Sequence, residues 1–309
     1  MSNNPNAISL LKKYQNIFTS NHCNSNYFEK LHSELIHFYY QYSELNRKEQ
    51  FIDIIRKSEA FKFFLEEPIT YHSYNRPRGY AGDAELIDYL YRLKSPKPST
   101  SHMGKELFAE ILNSSICHSV RWRALNLSNK INDFFYDKKK LINILALASG
   151  HLRELNYIKD FESKIEKFYA IDQDQESNSE AIRSLPYKNL IITKDSIMSI
   201  IKGKYKPPLL LDFIYSAGLF DYLNDKVATR LISICFGFLK PGGKLLIANF
   251  APGIIEQAYM EAFMDWHLIY RDEIQMTKLT SEILNENISK IDMYRDPKGN
   301  VVYMEIIRT

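Results

Sequence analysis

Several short apolar runs in the second half of the sequence stop in small or acidic residues, the types that can approach and hold a polar ligand. The first, Leu141 to Ala148, ends at Ser149-Gly150 and continues as His151-Leu152-Arg153-Glu154-Leu155. A glycine at that point lets the backbone come close to a bound molecule. The second ends in Asp172-Gln173-Asp174, roughly twenty residues beyond Gly150, a spacing that suits a carboxylate accepting hydrogen bonds from ribose hydroxyls. Asp172 is the better placed of the two aspartates, although either could instead cap the helix that follows. The third run ends at Lys194-Asp195-Ser196, where a polar side chain can meet an adenine edge or, equally, cap a helix. The fourth, Leu209 to Tyr215, opens into Ser216-Ala217-Gly218-Leu219-Phe220-Asp221-Tyr222, small and aromatic residues suited to the floor of a cofactor site.

A second group could act on a substrate. Arg76, Arg78 and Asp83 lie in the glycine-bearing segment Arg76-Pro77-Arg78-Gly79-Tyr80-Ala81-Gly82-Asp83, which can close over an active site and anchor a carboxylate, or can serve as a structural turn. Asn249, at the end of the fifth run, and Tyr270 are assigned to the substrate side. His267 and Arg271 follow the next helix and, with Tyr80 and Tyr215, are the candidate catalytic side chains. A lone histidine is more often structural than catalytic.

The elements that must position these residues follow from periodicity. From Ala7 to Glu67 the apolar positions, such as Leu31, Leu35, Phe38, Tyr39 and Tyr42, recur at three- and four-residue intervals, which predicts amphipathic helices. A break at Glu67-Pro68 and loop chemistry from Tyr74 to Gly79 end that run, and a helix restarts near Asp83. A second loop spans Ser95 to Ser101, and helical spacing returns from Lys105 to Phe135. Then short apolar runs alternate with helix-compatible stretches, at Lys167 to Ile171, Leu190 to Thr193, Leu209 to Tyr215 and Gly243 to Asn249, which predicts a doubly wound, mostly parallel sheet. Ile291 to Tyr294 and Val301 to Ile307 flank Asp296-Pro297-Lys298-Gly299-Asn300 and predict a closing antiparallel hairpin. The fold class is therefore α/β, with a domain boundary near Lys140: a helical domain over residues 1–140 and a Rossmann-like domain over 141–309, whose first glycine loop leads directly into a helix.

Composition narrows the classes of function. Forty basic and 37 acidic residues leave a net charge of +3 with no long single-sign block, so no electrostatic footprint for nucleic acid stands out. Cys23, Cys117 and Cys235 are odd in number and lack CxxC spacing, which argues against a disulfide framework and a zinc site; no metal is expected. The polar start Met1-Ser2-Asn3-Asn4-Pro5-Asn6 is unlike a secretory signal, and no apolar run reaches the ~18 residues of a membrane span. A cytoplasmic protein without membrane insertion is expected, with a homodimer left open.

From Ile142 to Arg308 the order of glycine loop, acidic end of the second strand, Asp195 position, fourth-strand motif and Leu239-Lys240-Pro241-Gly242-Gly243 turn resembles class I S-adenosylmethionine (SAM)-dependent methyltransferases. More narrowly, the 76–83 segment, Ser149-Gly150 with Arg153-Glu154-Leu155, Tyr215 to Leu223, and Asp265-Trp266-His267-Leu268-Ile269-Tyr270-Arg271 resemble the bacterial extracellular factor 3-hydroxypalmitic acid methyl ester biosynthesis protein subgroup. The chain departs from the class in its glycine loop, where Ala148, Gly150 and Leu152 stand in place of three glycines. The resemblance implies SAM as cosubstrate, held by Ser149, Gly150, Asp172, Gln173, Asp195, Ser196, Ser216, Ala217 and Phe220. It implies a small-molecule substrate met by Arg76, Arg78, Asp83, Asn249 and Tyr270, with residues 1–140 as a lid or substrate domain.

The sulfonium of SAM is a strong electrophile, so an enzyme using it chiefly aligns a nucleophile with the carbon attacked. Aromatic faces such as Tyr80, Tyr215 and Phe220 can hold the cation. The leading expectation is methyl transfer to a carboxyl or hydroxyl oxygen of a fatty-acid-like metabolite, which requires an acceptor cavity and a base or pre-ionised nucleophile. A second is intramolecular attack by SAM's own amine, giving azetidine-2-carboxylate and methylthioadenosine. A third is a non-catalytic SAM-binding module.

Overall fold

The computed structural model describes residues 5–20, 27–44 and 46–309. The chain divides into two compact units, Met1–Arg121 with Gly253–His267, and Trp122–Pro252 with Leu268–Thr309. Cys23 and residues 1–4 of the polar start lie outside the described residues.

The first half is helical: α1 (Pro5–Thr19), α2 (Tyr27–Glu44), α3 (Lys48–Arg56), α4 (Glu59–Phe64), α5 (Pro68–Asn75), α6 (Ala84–Leu90), α7 (His102–Ile111) and α8 (Ser115–Lys138). The Glu67-Pro68 break starts a helix instead of ending the helical run, because proline at the first helical position loses a donor that would be unpaired anyway. Glu67 caps α5, accepting from the main-chain N–H of Ile69 at 2.9 Å and Thr70 at 2.6 Å. Asp83 caps α6 through Leu86 N–H at 2.8 Å, in agreement with the restart expected there.

The second half alternates strand and helix: β1 (Ile142–Leu147), α9 (Phe161–Lys164), β2 (Ile165–Asp172), α10 (Gln175–Ser184), β3 (Leu190–Lys194), α11 (Ile197–Ile201), β4 (Leu211–Ser216), α12 (Asp225–Gly237), β5 (Leu239–Phe250), α13 (Gln257–Ala262), α14 (Glu273–Lys278), β6 (Ile288–Arg295) and β7 (Val301–Arg308). The strands form one sheet in the order β3-β2-β1-β4-β5-β7-β6, parallel except where β7 runs against β5 and β6. This is the mostly parallel sheet with an antiparallel C-terminal hairpin expected of the class I methyltransferase fold. Two local expectations fail. The glycine loop leads into a short 3-10 turn, Arg153–Tyr157, not a full helix. The Pro241-Gly242-Gly243 turn lies inside β5, where the pairing jumps from Leu211↔Leu239 to Phe213↔Lys244 and absorbs the extra residues as a bulge.

Each unit has its own core. In the helical unit the ring of Phe28 lies 5.5 Å from Phe18, 6.0 Å from Phe64 and 5.4 Å from Tyr259 on α13. In the sheet unit one apolar cluster joins Leu145, Ile171, Ile214, Leu231, Ile247 and Met304. The units part between Arg121 and Trp122, within α8, and not at Lys140. The reason is packing: from Trp122 onward α8 belongs to the sheet, with Trp122 5.4 Å from Tyr303, Phe134 5.6 Å from Phe213, and Lys130 2.6 Å from Glu305. Among the described residues no helix is long and apolar enough to cross a membrane.

Candidate functional site

In an open parallel sheet, ligands bind outside the carboxyl ends of the strands where the order reverses. Here the reversal falls between β1 and β4, which pair in parallel from Ile144↔Phe213 to Ala146↔Tyr215. The loops after β1 and β4 therefore frame the crevice, and β2 and β3 flank it.

After β1 the chain doubles back on itself. Ala148, Gly150 and Leu152 all adopt left-handed backbone, with φ of 48°, 54° and 53°. The three positions that glycines occupy in the class thus keep the glycine conformation, although two carry side chains and each non-glycine costs about 1–2 kcal/mol there. The turn is held in place by Ser149 N–H on Ile171 O at 3.1 Å and Gly150 N–H on Asp172 Oδ2 at 2.8 Å. Leu152 turns inward and is buried.

Asp172 ties three strand ends together. Its Oδ1 accepts Asp174 N–H at 2.9 Å, while its carbonyl accepts Asn178 Nδ2 at 3.0 Å and Asp195 N–H at 3.1 Å. Burial raises the pKa of its carboxyl, opposed by the N–H groups of Asp174 and Gly150. A carboxylate offers about four lone-pair sites, so these two N–H donors leave acceptor capacity. Next to it, Ser149 Oγ is buried with no hydrogen-bond partner. Asp174 is the cap, accepting Glu176 N–H at 2.9 Å and Ser177 Oγ at 2.6 Å. Gln173, between the two aspartates, is exposed. Asp195 accepts the N–H of Ser196 at 2.8 Å, and neither side chain caps α11.

The β4 end is more crowded. Ser216 Oγ donates to Leu147 O at 3.0 Å, locking β4 to β1. The Tyr215 hydroxyl donates to the carboxylate of Glu154, a buried group whose pKa is raised by burial. The ring of Phe220 is buried in the apolar cluster. Asp221 accepts Phe250 N–H at 2.6 Å, and burial pushes its carboxyl up to about 6. Arg271 is fully buried and clamps the loop: Nη1 donates to Phe220 O and Asn249 Oδ1, both at 2.8 Å, and Nη2 to Leu223 O at 2.6 Å and Asp225 at 2.7 Å. Asn249 Nδ2 in turn donates to Phe250 O at 2.9 Å and Ile269 O at 2.8 Å, so Arg271 and Asn249 together anchor the segment that carries Tyr270.

The sequence reading missed Arg123, Glu154 and Asp221. Arg123 Nη1 donates to Ala217 O at 2.5 Å, and its charge acts on both buried carboxyl groups. A signal was present: Val120, Ala124, Leu127 and Ile131 form the buried stripe of α8, and position 123 falls within it by helical spacing.

The remaining candidates belong to the helical unit. Arg76, left-handed at φ 48°, pairs with the carboxylate of Asp265 and donates to its carbonyl at 2.7 Å. Arg78 Nη2 lies 3.5 Å from Glu85. Asp83 is wholly buried and takes His72 Nε2 at 2.8 Å besides its capping bond. Tyr80 is half-buried in the same loop. His267 lies 3.5 Å from Glu261 and 3.0 Å from Asp265; the hydrogen bond to Glu261 and the one to Asp265 raise its pKa against burial. His267 and Arg271, close in sequence, thus fall in different units.

No family model and no curated protein matches the sequence. Solved structures do. A possible exported protein from Bordetella parapertussis is similar over 73% of this chain and 79% of its own, at 14% identity and a TM-score of 0.59, which is a likeness of fold. Magnesium protoporphyrin IX methyltransferase (ChlM) from Synechocystis, with bound SAM, matches 63% of this chain and 84% of its own, at 14% identity and TM-score 0.44. The N-methyltransferase NodS from Bradyrhizobium japonicum matches 59% and 94%, at 13% identity and TM-score 0.43.

Proposed function

We propose that this chain is a SAM-dependent methyltransferase acting on a small metabolite, with a carboxyl or hydroxyl oxygen of a fatty-acid-like molecule as the acceptor. The observation that carries the reading is the left-handed turn at Ala148, Gly150 and Leu152, bound through Gly150 N–H to the Asp172 carboxylate at the sheet's reversal point. Ser149, with its unpartnered buried hydroxyl, and Asp172, with acceptor capacity remaining, fit a ligand bearing ribose hydroxyls. Gly150, Gln173, Asp195, Ser196, Ser216 and Ala217 complete the proposed cosubstrate shell. When bound, SAM supplies an electrophilic methyl group.

The protein's own part is positioning. Ser216 locks β4 to β1, and Arg271 with Asn249 anchors the loop bearing Tyr270, which assigns Arg271 a positioning role in this reading. Tyr215, hydrogen-bonded to Glu154, is the phenol nearest in sequence to the crevice. Arg76, Arg78 and Asp83 keep the substrate-side role, and Tyr80 and His267 the catalytic role, that the sequence suggests for them. The test is to incubate the purified protein with SAM, with and without 3-hydroxy fatty acids, and identify the adenosine-containing product by mass spectrometry. Acceptor-dependent S-adenosylhomocysteine supports methyl transfer. Methylthioadenosine above the uncatalysed background replaces this reading with cyclisation, and absence of SAM binding removes both.

A further inference from the structure

The position of Gly218 has a bearing on what the crevice recognises. It is exposed, it lies two residues beyond the end of β4, and its backbone is not left-handed, so conformation does not demand glycine here. Space tells more. A Cβ built on Gly218 would have Arg123 Nη1 at 3.4 Å and Arg123 Cζ and Nη2 at 4.0 Å as its three nearest atoms. The place where any other residue would put a side chain is therefore lined by a guanidinium.

That guanidinium is held rigidly. Arg123 rises from the buried face of α8 with 9% exposure, and Nη1 is fixed on Ala217 O at 2.5 Å. The buried carboxyl groups of Glu154 and Asp221 lie within its field. A guanidinium is a permanent cation with five N–H donors in a planar fork. An arginine fork at a glycine gap matches a planar anion, and carboxylate is the planar anion that fits it in two bonds.

We propose that Arg123 is a carboxylate-recognition residue of the crevice, reached through the gap that Gly218 leaves. The inference rests on the SAM reading above. Two ligands of such a site could bring the carboxylate: the amino-acid end of the cosubstrate, or the head of a fatty acid acceptor.

The experiment measures, by calorimetry, binding of S-adenosylhomocysteine, of methylthioadenosine, which lacks the amino-acid end, and of octanoate to the protein saturated with S-adenosylhomocysteine. The variants are Arg123→Lys, Arg123→Met and Gly218→Val; the last leaves the arginine in place and fills the gap, so it guards against a folding defect in the others. If the carboxylate is the cosubstrate's, Arg123→Met and Gly218→Val weaken S-adenosylhomocysteine by about 10- to 100-fold while methylthioadenosine is unchanged. Arg123→Lys then falls between, because it keeps the charge and loses the fork. If the carboxylate is the acceptor's, only octanoate loses affinity. If neither carboxylate probe loses affinity in Gly218→Val, or if methylthioadenosine weakens as much as S-adenosylhomocysteine, the proposal is overturned. A wild-type protein that binds neither nucleoside removes the SAM reading itself, a result distinct from either.

Discussion

The two edges of the sheet treat the same residue type differently. At the amino end of β4, the buried Asp212 is met by Lys240 Nζ at 2.6 Å, by Lys140 at 3.9 Å and by Asn143 N–H at 2.9 Å. At the carboxyl edge Asp172 is held by the main-chain N–H groups of Gly150 and Asp174, and Asp221 by that of Phe250. Lysine partners neutralise a carboxylate and use its lone pairs in a static ion pair. Main-chain donors fix its position and leave its charge and part of its acceptor capacity to a ligand. The contrast fits Asp212 closing the bottom of the sheet and Asp172 being available to a ligand.

Variants sharpen that contrast. Arg271→Met is expected to have the largest effect on stability, about 3–5 kcal/mol, since it removes a buried cation and orphans the carbonyls of Phe220 and Leu223. Denaturant unfolding checks it; a loss below about 1 kcal/mol would mean that the clamp is not structural. Asp172→Ala leaves two main-chain donors unpaired, at a cost of about 2–4 kcal/mol, and should loosen the turn after β1, seen as faster amide exchange at Gly150. Ala148→Gly works in the opposite direction, because the left-handed φ of 48° suits glycine. It should stabilise by up to about 1 kcal/mol, the strain relieved being partly offset by glycine's greater unfolded entropy.

The smallest effect concerns the helical unit. The pKa of His267 is raised above its ordinary 6.5 by Glu261 and Asp265, so the protonated form is favoured in the folded chain. Its contribution to stability is complete below about pH 6.5 and is lost as pH rises through the raised value. Glu67, pushed up to about 7 by burial, and Asp221, pushed up to about 6, bend the profile in the same sense, so the His267 share is the difference between wild type and His267→Gln. Melting temperatures measured from pH 5 to 9 should converge for the two proteins at the alkaline end. Parallel curves would show that the ion pairs do not titrate in the folded chain.

Much of the sheet could be read from the sequence because its signals are local. Segments 142–147 and 211–216 are largely apolar and buried throughout, as strands covered on both faces are, and the acidic and small residues follow at their carboxyl ends. Asp172 and Gly150 were legible for that reason. The conformation of the turn was less so: nothing in Ala148 or Leu152 as residue types announces left-handed backbone, which the surrounding strands impose. Helical spacing puts Arg123 on the buried stripe of α8, but what Arg123 and Glu154 do arises from pairings across 94 residues to Ala217 and 61 residues to Tyr215, which local spacing does not encode. The boundary was misplaced for a related reason, since α8 is one uninterrupted helix by spacing and only its packing divides it.

The proposed site at the carboxyl edge would hold the cosubstrate through Asp172. It is tested most directly by calorimetric titration of S-adenosylhomocysteine into the wild type, Asp172→Ala and Asp212→Ala. The wild type is expected to bind, Asp172→Ala to lose at least ~30-fold in affinity from the missing charged hydrogen bonds, and Asp212→Ala to stay within about twofold of wild type. Equal weakening by both variants, or full affinity retained without Asp172, would contradict it.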